Sequence, residues 1–527
     1  MVIAPAPQSR TAPSRTAPSR TAPHRPAGRA SGRDAGIDLV RAICVLVIVV
    51  LHSLQVGITL APAGPVLEYA TVGAAWYPPL TWLLQVMPIF FVIGGFAGMH
   101  GYRRMRERGG TATGFVVGRV HRLLVPAVVT IAVAGVALAV LTSAGVPADL
   151  VALTGIRYGQ PLWFLGVFLA VQAVLPALLA AHQRAPLATL AGLVAGAVLI
   201  DALRLATGIE AIGYANLAFV WLALQQAGFF LADGRIDALR PRTRALGGLV
   251  AVALAAGTIA AEIFSPDLVA NMNPPTTVLL LVGAAQIAVL SLLRGHVTAL
   301  SRRPRVAALT AFVTERAMTI YLWNLTVLLA MAAVTAFVAA TAELSLPEPS
   351  SAGWWLTRPV WIALAIVLTA GVARLLGGIE RLPLPQAPTT SASRAAQAVL
   401  IGLTGVLILL VAGTTAVTAT TAIVLIVLGL SRLRRTDEAE TERPRPALRE
   451  MAPWGRSQHT ARSTTGSVHV ASPAHREPRL RRRRRGEGRR GVPASPRRTD
   501  PRRGGLRVFR RHADGRSADL VRPGAVP

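Results

Sequence analysis

The sequence predicts an all-α fold, a polytopic transmembrane helix bundle, from three observations. Of the 527 residues, 52% are hydrophobic and only 15% are charged, whereas soluble domains carry about 25% charged residues. Apolar runs of about 20 residues, the length that crosses a bilayer, recur along the middle of the chain. The connections between these runs alternate between arginine-rich and arginine-poor, as the positive-inside rule requires of a membrane protein.

The chain begins with a low-complexity segment at 1–35, in which TAPSR at 11–15 is repeated at 16–20 and again as TAPHR at 21–25. Its proline, serine and arginine content predicts a disordered tail. The segment contains no apolar stretch of the kind found in signal peptides. The first apolar run is therefore expected to act as an uncleaved membrane anchor.

Ten apolar runs follow, and a longer eleventh run closes the hydrophobic part of the chain. The ten cover 36–60, 79–100, 122–144, 161–181, 186–206, 214–232, 245–264, 276–293, 317–340 and 354–376. The run at 395–430 is too long for one perpendicular helix, and Gly413-Thr414-Thr415 can divide it into a two-helix hairpin. This gives twelve spans; eleven spans with one long tilted helix is the alternative.

The distribution of arginine predicts the orientation of these spans. Connections 101–121, 233–244 and 294–316 are rich in arginine, while 61–78, 265–275 and 341–353 contain none. Loops 145–160 and 207–213 hold only Arg157 between them. Because both tails are also arginine-rich, the number of spans should be even, and both termini are predicted to lie in the cytoplasm of a protein of the inner, or plasma, membrane.

A basic tail at 431–527, with five arginines at 481–485, completes the chain and contributes to a formal net charge of +30. Its composition predicts disorder. It can be attracted to anionic membrane lipids, or it can be unconstrained sequence from a GC-rich genome. Since the charge lies in tails and loops of a membrane protein, we expect membrane lipids and no nucleic acid among its partners.

The first span contains the clearest group of ionisable residues: Arg33, Asp34, Asp38, Arg41 and His52. Charged groups within a span are costly and are therefore candidates for function. Asp38 and Arg41 are three residues apart and share a helix face near the cytoplasmic end. His52 lies about 21 Å further along a helix than Asp38, in the outer half of the membrane. A neutral imidazole there can accept a proton from a hydroxyl, or it can simply bond to a neighbouring helix.

Other polar residues allow two interpretations each. Asp201 and Arg204 are predicted to pair, and with Asn216, Glu262, Asp267, Asn271 and Asn273 they can line an outward-facing vestibule or represent ordinary interfacial polarity. Gln85, Gln172, Gln225 and Gln226 are predicted to form interhelical hydrogen bonds. Arg119 and Arg122, with the arginines of 103–108, can dock a phosphate-rich donor, although the positive-inside rule also explains them. The single cysteine, Cys44, lies in an apolar run, and there is no nucleotide-binding motif and no metal-ligand cluster.

Several segments resemble the acyltransferase-3 family of integral-membrane acyltransferases. The first span, RDAGIDLVRAICVLVIVVLH at 33–52, resembles the opening segment of this family. In that segment an arginine is followed about eleven residues later by a histidine. Further similar segments follow in order: MPIFFVIGGF at 87–96, RVHRLLVP at 119–126, PLWFLGVFL at 161–169, NLAFVWLALQQAGFFLADG at 216–234, NPPT at 273–276, MTIYLWN at 318–324 and WWLTRPVW at 354–361. The later ones resemble the actinobacterial branch.

The resemblance implies a ten-helix catalytic core within a transmembrane domain at 36–382, with the 395–430 hairpin outside it. It implies an O-acyltransferase that moves an acyl group, often acetyl, from acyl-CoA to a hydroxyl of an extracytoplasmic glycan or glycolipid of the cell envelope. Acyl-CoA would be a cosubstrate, with no bound cofactor and no metal.

The resemblance also assigns roles to individual residues. His52 matches the essential histidine, and Arg33 and Arg41 match the arginines of the first span; with Asp38 they form the predicted catalytic set. Arg119 and Arg122 are the predicted donor-binding residues. The predicted acceptor-binding or core polar residues are Trp163, Asn216, Asn324 and Arg358.

Two positions depart from the family pattern, which often has histidine at Asn324 and near Gln225. Asparagine and glutamine form hydrogen bonds but do not shuttle protons. A catalytically degenerate family member is therefore one alternative interpretation. A transporter or flippase, which needs the same polar-lined membrane core but no acyl donor, is the other.

Overall fold

A computed structural model describes residues 34–61, 64–160, 162–384 and 388–434. Arg33 and the two tails lie outside these residues. The described part forms fifteen α-helices and one β-hairpin. The helices are α1 Ala35–Gln55, α2 Tyr77–Leu84, α3 Met87–Glu107, α4 Ala112–Ser143, α5 Ala148–Gly159, α6 Leu162–Arg184, α7 Pro186–Thr207, α8 Asn216–Ala232, α9 Pro241–Ala260, α10 Val278–Ser301, α11 Pro304–Glu315, α12 Ala317–Thr341, α13 Ala352–Leu376, α14 Ala392–Val411 and α15 Ala416–Ser431.

Eleven helical segments of the described chain are long and apolar enough to cross a membrane, and α15 is a shorter apolar helix. The ten predicted runs and the start of the eleventh each coincide with one of these segments. The prediction of an all-α polytopic bundle is therefore confirmed. In three places the spanning segment is composite, because α2 continues into α3, α5 into α6, and a 3₁₀ helix at Glu210–Ala215 into α8.

The run at 395–430 divides into two helices where the sequence suggested. α14 ends at Val411, Gly413 adopts a left-handed conformation with φ of 73°, and α15 begins at Ala416. The side chain of Thr415 caps α15 by accepting a hydrogen bond from the backbone N–H of Thr418. The alternative of one long tilted helix is therefore wrong for the described residues.

The C-terminal helices pack into the main hydrophobic core, against α4 and α6. Small residues permit this close approach. A Cβ atom at Gly155 of α5 would collide with the carbonyl oxygen of Thr414, between α14 and α15. A Cβ at Gly402 would press on the side chain of Leu124. The hairpin therefore covers one side of the bundle that α4, α5 and α6 form.

The first predicted span, at 36–60, is too long at its C-terminal end, because α1 ends at Gln55 and a β-hairpin follows it, over the last residues of that span and the start of the loop predicted at 61–78. Strands β1 Val56–Ala61 and β2 Gly64–Tyr69 are antiparallel, and Val56 pairs with Tyr69. Ile58 and Leu67 pack against α12 and α13. Helix α5 occupies most of a further predicted loop, at 145–160. The β-hairpin and α5 lie at the end of the bundle with few arginines, which we call the arginine-poor end. We call the opposite end the basic end; it contains connections 101–111, 233–240 and 302–316.

Candidate active site

The structure brings together His52 of α1 and Asn324 of α12, which are 272 positions apart in the sequence. The Nδ1 atom of His52 lies 2.8 Å from the Oδ1 atom of Asn324. Asn324 is fully buried and His52 is half-buried. The residue that departed from the family pattern is thus the direct partner of the candidate catalytic histidine.

The hydrogen bonds of Asn324 determine which nitrogen of His52 carries the proton. The Nδ2 amide of Asn324 donates to the carbonyl oxygens of Ile320, at 3.2 Å, and Tyr321, at 2.5 Å. Its Oδ1 atom is therefore the group that faces His52, and this oxygen can only accept. Nδ1 of His52 must then carry the hydrogen, and Nε2 presents an unprotonated lone pair. Within the described part of the chain, no group is hydrogen-bonded to Nε2, so it is free to act as a base.

The other ionisable residues of α1 lie at its basic end. Asp34 caps the helix, accepting from the N–H groups of Gly36 at 3.0 Å and Ile37 at 3.1 Å, and it pairs with Arg294 at 2.7 Å. Asp38 and Arg41 form the predicted i,i+3 pair at 3.2 Å. Arg41 is eleven residues, or about 16 Å along the helix, from His52, so neither residue of this pair contacts the imidazole.

A basic pocket of about 460 Å³ opens at this same end, between the start of α4, the end of α3 and the 3₁₀ helix Ile379–Arg381. Arg119, Arg122 and Arg381 line it. The charge of Arg119 interacts with those of Arg41 and Arg122, so these three guanidinium groups lie near one another. No ion pair or side-chain hydrogen bond engages Arg119 or Arg122 within the described ranges. The two predicted donor-binding residues therefore line one cavity and form no ion pair among the described residues, although the Arg119 guanidinium lies 4.9 Å from the centroid of the Phe115 ring.

Glu380 is the acidic residue of this pocket. Its carboxylate accepts hydrogen bonds from the backbone N–H of Thr319, at 2.6 Å, and from the Thr319 hydroxyl. Burial raises the pKa of Glu380, while the bonds from Thr319 and the charge of Arg122 oppose that rise. The carboxylate thus accepts from a free backbone N–H group in the first turn of α12. Since α12 is the helix that carries Asn324, the role of Glu380 here is structural.

Two of the polar residues considered for an outward-facing vestibule, Asn216 and Asp201, are buried in the bundle. Asn216 is fully buried and donates to Asp201 Oδ1 at 3.0 Å and to the Ala197 carbonyl at 3.3 Å. Asp201 also accepts from the Thr277 N–H at 2.7 Å, and Arg204 pairs with Glu210 instead. The inward-facing carboxylate of Asp201 finds buried donors, whereas the Arg204 side chain extends to the exposed Glu210. Asn216 is therefore a core polar residue.

The loop between α9 and α10 likewise satisfies its own polar groups. Asn271 donates to the carbonyl oxygens of Ser265, at 2.8 Å, and Asp267, at 2.9 Å, and accepts from the Thr276 hydroxyl at 2.9 Å. These bonds close the loop on itself. They do not direct its side chains toward His52.

The four glutamines within the spans form the expected hydrogen bonds between segments. Gln172 of α6 donates to Gln225 of α8 at 3.3 Å, and Gln225 donates to the Val171 carbonyl at 3.2 Å. Gln226 bonds to His182 at 2.8 Å, and Gln85 donates to the Leu268 carbonyl at 2.7 Å. Gln225, the second departure from the family pattern, is thus a buried link between α6 and α8.

Trp163 and Arg358 occupy different surroundings. The Trp163 ring packs 5.8 Å from Trp221 and 6.2 Å from Phe164, and the Phe164 ring in turn lies 4.9 Å from that of Tyr321. Trp163 therefore belongs to an aromatic cluster that reaches the His52–Asn324 pair through Tyr321.

Arg358 is buried between two tryptophan rings, 4.3 Å from the centroid of Trp354 and 5.0 Å from that of Trp361. It donates to the Val56 carbonyl at 3.4 Å. No carboxylate of the described chain lies within ion-pair distance of it. Arg358 thus holds the end of α1, one helical turn beyond His52.

A polar cluster that was not predicted from the sequence lies at the arginine-poor end. We call it the outer cluster, and it consists of Gln55, Glu68, Tyr69, Tyr77, Arg157 and Gln160. Gln55 donates to the Tyr77 hydroxyl at 2.8 Å, and the Tyr69 hydroxyl donates to Gln160. The guanidinium of Arg157 lies 3.2 Å from the Tyr69 ring centroid. Two signals were present: Gln55 is three residues after His52, and Arg157 is the lone arginine of an otherwise arginine-free loop.

Comparison with known protein families identifies the family of this chain. A family described as an acyltransferase domain, the acyltransferase-3 family, matches residues 34–377. This range covers more than half of the chain, from α1 to the end of α13, and includes His52, Asn324, Arg119 and Arg122. The hairpin α14–α15 lies beyond it. No curated protein and no solved structure matches the chain.

Proposed function

The chain belongs to the acyltransferase-3 family and is a multi-pass membrane acyltransferase, and we propose that it transfers an acyl group from cytoplasmic acyl-CoA to a hydroxyl of an extracytoplasmic glycan or lipid. The observation that carries this proposal is the His52–Asn324 pair, in which Nε2 is left with a free lone pair. A general base at this place, between a basic pocket at one end and an outer polar cluster at the other, suits transfer to a hydroxyl.

The donor side of the proposal rests on the basic pocket. The phosphates of CoA are bound best by arginine guanidinium groups, whose planar donors match phosphate oxygens. Arg119 and Arg122 supply such groups without competing ion pairs in the described part of the chain. Arg119 lies near Arg41, which is about 16 Å along α1 from His52, and an extended pantetheine arm has a comparable length. In the proposal, the pantetheine arm spans this distance, so that the thioester lies at the imidazole while the phosphates stay in the pocket.

In the proposed reaction, Nε2 of His52 removes the proton from the acceptor hydroxyl as its oxygen attacks the thioester carbonyl carbon. The carbon–sulfur bond breaks, and the leaving thiolate of CoA takes the proton from the imidazolium. An ester and free CoA result. In the alternative, Nε2 attacks the thioester carbonyl carbon first and displaces the CoA thiolate, which leaves an acyl-imidazolium. The acceptor hydroxyl oxygen then attacks the acyl carbon, the bond to Nε2 breaks, and the hydroxyl proton passes to the thiolate. Both routes require Nδ1 to be held as a donor by Asn324.

The experiment that tests the function is mass spectrometry of envelope glycans and lipids from a deletion strain. We expect one species to lose the mass of an acyl group and to regain it when the wild-type gene, but not His52→Gln, is restored. An unchanged glycan and lipid profile would contradict the proposal. It would favour a transporter or a catalytically degenerate family member.

Substitution of the pocket arginines should weaken donor binding. Arg119→Ala and Arg122→Ala are each expected to raise the KM for acyl-CoA by about tenfold, with a smaller change in kcat, because each removes a charge-assisted phosphate contact. Initial rates in proteoliposomes, with acyl-CoA titrated, measure both constants. Arg108→Ala is the matched control, since Arg108 is exposed in the same basic connection and does not line the pocket. If the KM for acyl-CoA of both pocket variants, like that of the control, equalled the wild-type value, the donor would bind elsewhere.

The proposed orientation in the plasma membrane, with both termini in the cytoplasm, leads to a separate prediction. Reporter fusions after residues 110, 240, 305 and 435 should give cytoplasmic signals, and fusions near 70, 270 and 348 should give external ones, because the first group follows the arginine-rich connections. Paired reporters that are active on opposite sides of the membrane provide the control. An external signal at 435 would mean that α14 and α15 do not both cross the bilayer.

A further inference from the structure

A cavity of about 420 Å³ lies beside the first half of α13, between this helix, the end of α12 and strand β1. We call it the α13 cavity. Its open side consists of apolar side chains of α13, of which Leu356 is 81% exposed and Val360 is 71% exposed. Because α13 is one of the helices that can cross a membrane, these exposed side chains face lipid. The α13 cavity therefore opens sideways into the bilayer, at the arginine-poor end.

Arg358 is the charged residue in the wall of the α13 cavity. It is only 8% exposed and lies between the rings of Trp354 and Trp361. A guanidinium has five N–H donors, and in the described structure one of them has a partner, the Val56 carbonyl oxygen at the long distance of 3.4 Å. No acidic residue of the described chain lines the cavity or pairs with Arg358. Since a charge inside a membrane span is costly and cation–π contacts offset that cost only in part, the wall is complementary to an anionic ligand.

The other polar groups around this guanidinium are donors as well. Nε of Arg358 and the indole nitrogens of Trp354 and Trp361 are buried and have no hydrogen-bond partner in the described structure. Each of these nitrogens carries a hydrogen and none can accept one. Buried donors without a partner are destabilising. A phosphate suits this wall, because it brings a negative charge and several acceptor oxygens that match the planar guanidinium.

The position of Arg358 along α13 matches the level of lipid phosphates. Helix α13 has 25 residues and is about 38 Å long, which exceeds a hydrocarbon core of about 30 Å. Arg358 is about 9 Å along the helix axis from Ala352, where α13 begins, so it lies close to the hydrocarbon boundary. Helical side chains tilt toward the N-terminus, and the Arg358 guanidinium accordingly contacts Trp354, one turn earlier. The charge is thus directed toward the headgroups.

We propose that the α13 cavity binds an anionic phospholipid, whose phosphate is held by Arg358 and whose acyl chains cover Leu356 and Val360. This lipid is not the acceptor, because neither His52 nor Asn324 lines the cavity. A zwitterionic phospholipid would bring an ammonium group to a wall without an acidic residue, so the net charge of the head should be negative. The inference does not depend on the proposed acyl transfer.

Native mass spectrometry of the full-length protein in detergent tests this site without requiring catalysis. The protein is titrated with dioleoyl phosphatidylglycerol or with dioleoyl phosphatidylcholine, and the bound lipids are counted. We expect the wild type to bind one phosphatidylglycerol more tightly than any phosphatidylcholine. Arg358→Gln should weaken that binding by about tenfold or more, the effect of losing a hydrogen bond to a charged group. Arg374→Gln should retain it, since Arg374 lies over the Phe312 ring on the same helix but does not line the cavity.

A second pair of variants keeps Arg358 and changes the shape of the cavity. Val360→Trp fills the lipid-facing side and should remove the tightly bound phosphatidylglycerol, whereas Val367→Trp, at an equally exposed position of α13 outside the cavity, should retain it. Unchanged binding by Val360→Trp would overturn the proposal even if Arg358→Gln failed to fold. Equal binding of the two lipids by the wild type would show annular lipid only and overturn it. Displacement of the lipid by millimolar glycerol phosphate would identify a soluble phosphate as the ligand and would also overturn it.

Discussion

His52→Ala is expected to reduce acyl transfer by about 100-fold or more, since it removes both the general base and any transient acyl carrier. The protein should still insert and fold, because a small apolar residue suits a membrane helix and the one hydrogen bond lost is that to Asn324. Initial rates of ester formation in proteoliposomes measure the effect. Yield from the membrane and elution in detergent show whether the variant is intact.

His52→Gln separates a catalytic role from a structural one. A glutamine side chain can still donate to Asn324 Oδ1, but it accepts no proton near neutral pH. If His52 only joins α1 to α12, the Gln variant should transfer acyl groups as the wild type does. If Nε2 is the base, the Gln variant should be nearly as inactive as the Ala variant. Wild-type activity in His52→Gln would remove this residue from the mechanism, and Asn324 could not replace it.

The spans could be read from the sequence because each is set by its own composition. A run of about 20 apolar residues has no alternative to a helix in a bilayer, where every backbone polar group must be satisfied locally. The β-hairpin and α5 could not be found this way. The strands at 56–69 are held by the packing of Val56, Ile58 and Leu67 against α12 and α13, and α5 is held by the contact of Gly155 with the α14–α15 turn. Neither contact leaves a local signal.

In the candidate site, too, some residues could be identified from the sequence, whereas their contacts could not. His52 was identifiable because an ionisable group in an apolar helix is costly, and Arg119 and Arg122 because they form a basic cluster. The partner of His52 was not identifiable, since no spacing relates α1 to α12, and Asn324 was interpreted as a departure that weakens the site. Conversely, Asp201 and Arg204 had the spacing of a pair, but the carboxylate turns to Asn216 and Thr277. Helical spacing brings side chains near each other, while tertiary donors decide which bonds form.

Asn324→Leu is expected to lower kcat by about 10-fold to 100-fold while leaving the KM for acyl-CoA nearly unchanged. Hydrogen-bond partners that orient a metal-ligating histidine have effects of about 10-fold to 100-fold when they are removed, and we expect a similar size for this neutral amide partner. Without the Oδ1 acceptor, the imidazole can rotate and can carry its hydrogen on Nε2, the nitrogen that must be free to accept a proton. The donor pocket is lined by no residue of α1 or α12, so donor binding should not change.

Two further variants make the test specific to orientation. Asn324→Asp keeps an oxygen that accepts from Nδ1, so its kcat should lie between those of the wild type and the Leu variant. Gln225→Leu is the matched control, because it also removes a buried amide from a span but breaks only the link between α6 and α8. It should lower the temperature of unfolding without changing kcat per folded molecule. If Asn324→Leu instead behaved like Gln225→Leu, losing stability but not kcat, then Asn324 would merely pack α12 against α1. The assignment of the lone pair to Nε2 of His52 would then lose its support, because within the described structure it rests on the bond between Nδ1 and Asn324.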